Sequence, residues 1–171
     1  MILEKINKPE DLRKLNREEL ENLAEEVRKA LLNRLTKYPK GGHVGPNFGV
    51  VELTIALHYV FNSPVDKMIF DVSHQAYPHK ILTGRKDGFI YDEKFGTVNG
   101  YTDQDESEHD FFRVGHTSTS ISVAAGLAKA RDLKGTKENI IALIGDGSLS
   151  GGLAFEGLNS VSEQGTNMII I

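Results

Sequence analysis

The sequence of 171 residues contains no cysteine. This absence excludes disulfides, thiolate nucleophiles and cysteine–zinc sites, and it is typical of a cytosolic protein, so we expect a cytoplasmic location. Long apolar runs are also absent, and the residues that follow Met1 to Lys5 are polar instead of forming the apolar core of a signal peptide. The formal net charge of -4 gives no sign of a nucleic-acid surface. We therefore expect neither a nucleic acid nor a membrane as a partner.

The composition is that of an ordinary globular protein, with 39% hydrophobic and 26% charged residues. A chain of this length can enclose one substantial core, so we predict a single domain over residues 1–171. Residues 167–171 have the composition of another buried strand. Because domains seldom stop within a core strand, we expect the chain to be a fragment of a longer protein or to be joined by another chain.

The most informative stretch surrounds Gly145-Asp146-Gly147. Five consecutive apolar residues at 140–144 predict a strand that is buried on both faces, as in parallel sheets. Apolar residues at near-helical spacing after Gly152 predict a helix. The tight turn therefore lies at the carboxyl end of a strand, which is where ligands bind in open α/β sheets.

The residue types in this turn suit an anion and a metal ion. Gly145 and Gly147 allow the backbone N–H groups to approach a phosphate closely. Asp146 supplies a hard oxygen ligand of the kind that Mg²⁺ prefers where it bridges phosphates. The alternative is that Asp146 only caps the turn, and these three residues taken alone favour that alternative.

The remaining elements alternate between helix and strand. Asn16 is a helix-capping residue for a helix from residue 17 to about 35, and His58 lies within an apolar helix, where a packed histidine is favoured over a functional one. The further predictions are a glycine-rich loop at 41–49, helices at 50–61 and 121–130, a strand at 68–72, a short helix around 81–82, a long loop at 88–112 and a strand at 167–171. This order predicts an α/β fold with a parallel sheet flanked by helices.

Three histidines, His43, His74 and His116, each lie in a loop near the start of a predicted helix. Histidine can donate to phosphate oxygens and transfer protons near neutral pH. If the sheet is parallel, His74 and Asp146 could share one cleft. A zinc site built from the three histidines is the alternative, although Asp146 and its turn favour magnesium and a diphosphate. Ser148 and Thr117 can donate hydroxyl groups to a ligand or cap helices instead.

With these motifs in place, the chain resembles the N-terminal part of the 1-deoxy-D-xylulose-5-phosphate synthase family of the transketolase superfamily. The matching stretches are residues 41–43, 49–54, 56–60, 71–85, 115–122 and 145–159. The run from His74 to Arg85 is specific to this family, whereas Gly-Asp-Gly alone indicates only the superfamily. The resemblance covers nearly the whole chain.

The resemblance implies a magnesium- and thiamine-diphosphate-dependent transferase. Asp146 would be the magnesium ligand, and His43 would face the substrate and assist proton transfer as a catalytic residue. The residues implied to contact thiamine diphosphate are His74, Gly115, His116, Thr117, Gly147 and Ser148. The family condenses pyruvate with glyceraldehyde 3-phosphate to 1-deoxy-D-xylulose 5-phosphate, with loss of carbon dioxide, for isoprenoid, thiamine and pyridoxal synthesis. Its members are homodimers.

Some residues depart from the family pattern. Gly45-Pro46-Asn47-Phe48 replaces the usual Ala-Ser-Gly-Leu, Ser73 stands where glycine is usual, and the loop before Glu106 lacks an expected Phe-Pro-Arg/Lys element. Because these positions approach the substrate side, a paralogue with another ketol donor or acceptor is one alternative. The others are the first subunit of a split transketolase-like enzyme and a non-catalytic association domain.

Two further family residues, an Asn that is a second magnesium ligand and a cofactor-activating glutamate in a second domain, lie beyond the 171 residues. We therefore predict that residues 1–171 by themselves have no synthase activity and bind thiamine diphosphate weakly.

Overall fold

The computed structural model of the protein describes residues 1–113 and 115–171. The described residues divide into two compact units. Unit 1 contains residues 1–62 and 74–100, and unit 2 contains residues 63–73 and 101–171. The prediction of a single domain over residues 1–171 stays a prediction.

Unit 1 is helical. Its α-helices are α1 (Ile2–Lys5), α2 (Arg17–Lys37), α3 (Val44–Gly49), α4 (Val51–Val60), α5 (Tyr77–Lys80) and α6 (Asp87–Ile90). Short 3-10 segments cover Pro9–Lys14 and Asp92–Thr97, and a π-type turn covers Ile81–Arg85.

The predicted start of helix α2 is confirmed. The Asn16 side chain accepts the backbone N–H of Glu19, and the Glu19 carboxylate accepts the N–H of Asn16, so that each satisfies a donor that the first turn leaves free. The helix continues to Lys37, two residues beyond the predicted end. Its buried face includes Leu23, Leu31 and, unexpectedly for a charged residue, Arg34.

The loop predicted at 41–49 is partly wrong, because Val44–Gly49 forms the short helix α3. Pro46 falls in its first turn, where the missing N–H has no intrahelical acceptor in any case. The long loop predicted at 88–112 also begins with helical turns, which bury Phe89 and Phe95. Elements of four to six residues are too short to produce a periodic apolar pattern.

Lys86 holds the N-terminal segment in unit 1. Its ammonium group donates to the carbonyl oxygens of Leu3, Glu4 and Ile6, at 3.1, 2.6 and 2.7 Å, and to the Asn7 side chain at 3.1 Å. Burial is the main cause that lowers the pKa of Lys86 from its ordinary value, so these acceptors do not replace all of the lost hydration.

We expect Lys86→Met to lower the free energy of unfolding by about 1.5–3 kcal/mol, because the carbonyl groups lose a charged donor. The unfolded chain binds more protons just below the ordinary lysine pKa, so wild-type stability should rise with pH through that window, and the variant should lack this rise. Urea unfolding at several alkaline pH values measures both effects. Lys94→Met is the control, because an ion pair between exposed side chains such as Lys94 and Asp87 contributes little to stability. Equal losses in the two variants would contradict the role given to Lys86.

Unit 2 confirms the predicted α/β class. Its parallel sheet has the order β1 (Lys67–Phe70), β2 (Ile140–Leu143) and β3 (Ile169–Ile170). Every residue of β2 is buried, as its unbroken apolar run predicts. The flanking helices are α7 (Ser120–Lys134) and α9 (Gly152–Gln164), with the single turn α8 (Asp146–Leu149) between β2 and α9.

Small residues allow helix α7 to approach its neighbours closely. Ala124 and Ala128 are fully buried in the cluster that contains Ile69 and Ala142 of the sheet. A Cβ on Gly157 of α9 would lie 3.0 Å from the Ile121 side chain, so the two helices meet there at short range. Helix α7 continues to Lys134, four residues beyond the predicted end, and Gly135 follows it in the left-handed conformation at φ +70°. Among the described residues, no helix combines the length and the apolar character needed to cross a bilayer.

Candidate functional site

The turn at the carboxyl end of β2 is one helical turn instead of the predicted tight turn. Gly145 precedes it in an extended conformation, and Asp146 is its first residue. All residues of helix α8 are described, and no side-chain hydrogen bond caps its start. The structure therefore does not show the capping role considered for Asp146. Asp146 and Gly147 are exposed and Ser148 is half-buried. A Cβ on Gly145 or Gly147 would meet no heavy atom within 4 Å, so the backbone of this turn borders open space.

The loop that contains Gly115, His116 and Thr117 lies before helix α7, and all three residues are exposed. The N-cap residue of α7 is Thr119, so Thr117 is not the capping residue. The Thr119 hydroxyl donates to the His116 carbonyl oxygen at 2.9 Å. This bond closes the loop onto the start of the helix while the His116 side chain stays open to solvent.

Ser118 joins this loop to the turn after β2. Its hydroxyl donates to the Ser148 carbonyl oxygen at 2.6 Å. A Cβ on Gly151 would lie 2.2 Å from the Ser118 hydroxyl oxygen, so only glycine fits at position 151 with this contact. The structure therefore brings the 115–118 and 145–151 segments together, although they are distant in sequence.

Asp71 anchors the same loop from the end of β1. Its carboxylate oxygens accept the backbone N–H groups of Ser118 and Ser120, each at 2.9 Å. Asp71 is 1% exposed, and its own N–H donates to the Leu143 carbonyl oxygen at 2.7 Å. One residue thus connects the ends of both strands with the start of helix α7.

Val72 and Ser73, which follow β1, both have positive φ values, of 57° and 69°. Such values are uncommon outside glycine, which explains why glycine is the expected residue at position 73. The Ser73 hydroxyl accepts the N–H of Thr102 at 3.0 Å. The Ser73 side chain therefore satisfies a backbone N–H group that lies 29 residues away in the sequence.

In unit 1, Asn47 holds the two predicted histidines together. Its side-chain amide donates to the carbonyl oxygens of His43 and His74, at 2.7 and 2.8 Å, and its side-chain oxygen accepts the Tyr77 N–H at 3.0 Å. The rings of His43 and His74 lie edge to face with 4.8 Å between their centroids. His43 is exposed and His74 is half-buried, whereas Asn47 is fully buried.

We expect Asn47→Leu to lower the free energy of unfolding by about 3–5 kcal/mol, because a side chain of similar size removes the hydrogen bonds of two part-buried carbonyl groups and one buried N–H group. Urea unfolding measures this loss, and NMR of the His43 and His74 rings should show both resonances displaced. Asn33→Leu is the matched control, since Asn33 bridges the carbonyls of Phe89 and Ile90 from a half-buried position. An Asn47 variant that is no less stable than the control would refute the bridging role.

The predicted site residues are thus distributed over both units. Unit 1 contains His43 and His74, and unit 2 contains Asp146 and the segments around His116 and Ser148. Within each unit the predicted residues are brought together. That His74 and Asp146 share one cleft stays a prediction.

The structure of residues 1–113 and 115–171 contains no group of three or more His, Cys, Asp or Glu side chains arranged to hold a metal ion. The zinc alternative stays a prediction, because its histidines are divided between the two units. A magnesium site does not need three protein ligands, because Mg²⁺ is usually held by one or two carboxylates together with phosphate oxygens and water.

His58 is a packed histidine, as predicted. It is fully buried in helix α4, and its Nε2 lies 2.9 Å from Nδ1 of His79, which is equally buried. The two rings are stacked with 5.0 Å between their centroids.

Sequence reasoning missed Asn47, Asp71 and Ser118 as residues that position the site. The sequence marks Asn47 only as a departure from the family pattern, and Asp71 only as part of the predicted strand and of the matching stretch 71–85. A polar residue at the end of a buried strand, as Asp71 is, could have been recognised as a candidate. Nothing in the sequence indicates which N–H groups it accepts.

Comparison with known proteins agrees with the resemblance. A family model described as 1-deoxy-D-xylulose-5-phosphate synthase matches residues 3–171. Proteins named 1-deoxy-D-xylulose-5-phosphate synthase from Caldanaerobacter subterraneus subsp. tengcongensis and Halalkalibacterium halodurans are each 52% identical, over 99% and 100% of this chain. One from Dictyoglomus thermophilum is 50% identical over 100% of it. In each case the match covers 27% of the relative, so the chain spans about a quarter of the length of these curated relatives.

Proposed function

Because the chain belongs to the 1-deoxy-D-xylulose-5-phosphate synthase family, we propose that it forms the diphosphate- and magnesium-binding part of a thiamine-diphosphate-dependent transferase. The proposed reaction joins pyruvate to glyceraldehyde 3-phosphate, releasing carbon dioxide and forming 1-deoxy-D-xylulose 5-phosphate. This product is a precursor for isoprenoid, thiamine and pyridoxal synthesis.

The observation that carries this proposal is the junction at Ser118, which sets the 115–117 loop beside the turn after β2. Backbone N–H groups of Gly147 and Ser148, together with the 115–117 loop, would hold the diphosphate. The exposed Asp146 carboxylate would bind Mg²⁺. These residues fit the group, since the donor types suit a phosphate-bound magnesium ion and the glycines leave open space beside the backbone.

The chain's own residues bind, orient and transfer protons. Thiamine diphosphate, when bound, supplies the carbanion chemistry that joins the two substrates. His74, whose carbonyl oxygen is fixed by Asn47, would contact the cofactor. His43, exposed beside it, would face the substrate and move protons to and from its oxygen atoms.

The full-length protein expressed from its own gene provides the test. We expect it to form deoxyxylulose phosphate and carbon dioxide in equal amounts from the two substrates. Chelation of divalent metal followed by dialysis should abolish the reaction, and Mg²⁺ with thiamine diphosphate should restore it. If the protein binds thiamine diphosphate but accepts only another ketol donor, the assignment of pyruvate as the donor substrate is wrong.

Three further features are proposed on the same basis. The protein would be a homodimer in the cytoplasm, and residues 1–171 expressed alone would lack synthase activity. On helix α9, Leu153 and Phe155 are 50% and 56% exposed, which leaves apolar surface available to other parts of the assembly. Light scattering of the full-length protein tests the homodimer. An activity assay of residues 1–171 tests whether they are inactive by themselves.

A further inference from the structure

Asp71 lies in an unusual place for a carboxylate. It is 1% exposed, and burying a charged group is unfavourable unless hydrogen bonds replace its hydration. Two backbone N–H groups do so, those of Ser118 and Ser120 at the N-terminal end of the 15-residue helix α7. Both the charge-assisted bonds and the helix dipole favour an anion there. The carboxylate is therefore held firmly at this position.

The effect of Asp71 extends beyond its own two hydrogen bonds through Ser118. Ser118 has φ +67°, a left-handed conformation that is uncommon for serine. It is held there from both sides, by its N–H to Asp71 and by its hydroxyl to the Ser148 carbonyl oxygen. Because Asp71 fixes the serine backbone, it also fixes the direction of the hydroxyl toward the turn after β2.

We propose that Asp71 is a positioning residue that sets the Gly115–Ser120 loop against the turn around Ser148, and so determines how tightly the site binds a magnesium diphosphate. This rests on the function proposed above. Asp71 is buried, so it acts through Ser118 and Ser120 and does not touch the ligand.

The test compares wild type with Asp71→Asn in the full-length protein. The amide keeps the shape of the side chain but removes its charge and turns an NH₂ group toward one of the two N–H donors. In the ligand-free protein, hydrogen exchange of the amides at 115–120 and 145–151 should become about tenfold faster or more. The Kd for thiamine diphosphate with Mg²⁺, measured by calorimetry, should rise about tenfold or more.

Asp66→Asn is the matched control. Asp66 is also buried in unit 2, but it precedes β1 at the amino end of the strand, where its carboxylate accepts the backbone N–H of Asn139 at 2.7 Å and its side-chain amide at 2.9 Å. We expect this variant to quicken exchange near residue 139, to leave exchange at 115–120 unchanged, and to keep the wild-type Kd within about threefold.

Equal effects of Asp66→Asn and Asp71→Asn on the loop or on the Kd would overturn the inference, and so would wild-type exchange at 115–120 in Asp71→Asn. If the wild-type protein binds no thiamine diphosphate, the proposed function fails, while the exchange measurement still decides the role of Asp71 because it needs no ligand. If Asp71→Asn does not fold, Ser118→Ala replaces it. This change removes only the bond to Ser148, and unchanged exchange at 145–151 would again overturn the inference.

Discussion

Replacement of Asp146 by alanine should weaken magnesium-dependent binding of thiamine diphosphate by about 100-fold or more and reduce synthase turnover to background. Asp146 is the carboxylate proposed to bind the metal, at the exposed start of the turn after β2. A cation held by this carboxylate would offset the repulsion between the carboxylate and the diphosphate. Without it, the remaining N–H donors bind the diphosphate only weakly.

The same change should leave the stability of the ligand-free protein within about 0.5 kcal/mol of wild type, because the side chain is exposed and caps no helix. Calorimetry with and without Mg²⁺, steady-state kinetics and urea unfolding together measure these effects. Glu163→Gln, an exposed acidic residue of helix α9, is the matched control and should change none of them. Undiminished magnesium-dependent binding in Asp146→Ala would exclude Asp146 as the metal ligand.

Replacement of His43 by alanine should lower kcat by about 100- to 1000-fold, the contribution usual for a residue that transfers protons in the transition state. His43 is exposed and immediately precedes helix α3, and it makes an edge contact with the His74 ring. Its carbonyl oxygen, which Asn47 binds, belongs to the backbone and is retained in the variant. The Kd for thiamine diphosphate should therefore remain within about threefold of wild type.

A lower kcat with an unchanged Kd for thiamine diphosphate identifies His43 as a proton-transfer residue and not as a cofactor contact. His74→Ala should show the reverse pattern, a raised Kd for the cofactor with a smaller change in kcat at saturation. Val44→Ala, which changes the exposed neighbour of His43, controls for local disturbance and should keep wild-type kinetics. A His43 variant with full kcat would remove His43 from the proton-transfer step.

Much of the fold could be predicted because its signals are local. Asn16 and Glu19 are three residues apart, and their capping box marks the start of helix α2 as the sequence indicates. Gly135 ends helix α7 for an equally local reason, since glycine adopts the left-handed conformation without penalty. The errors, at Val44–Gly49 and in the 88–112 segment, fall on helical turns too short to show a period.

The sequence by itself determined the α/β class, the buried strand β2 and the position of Gly145-Asp146-Gly147 at its carboxyl end, because apolar runs and turn residues act over a few neighbours. Only the tertiary structure decided how the candidate site is supported. The bonds from Asp71 to Ser118 and Ser120 span 47 and 49 residues, and the bond from Asn47 to the His74 carbonyl spans 27. Such partners are backbone groups, which every residue possesses, so their choice depends on where packing places the chain.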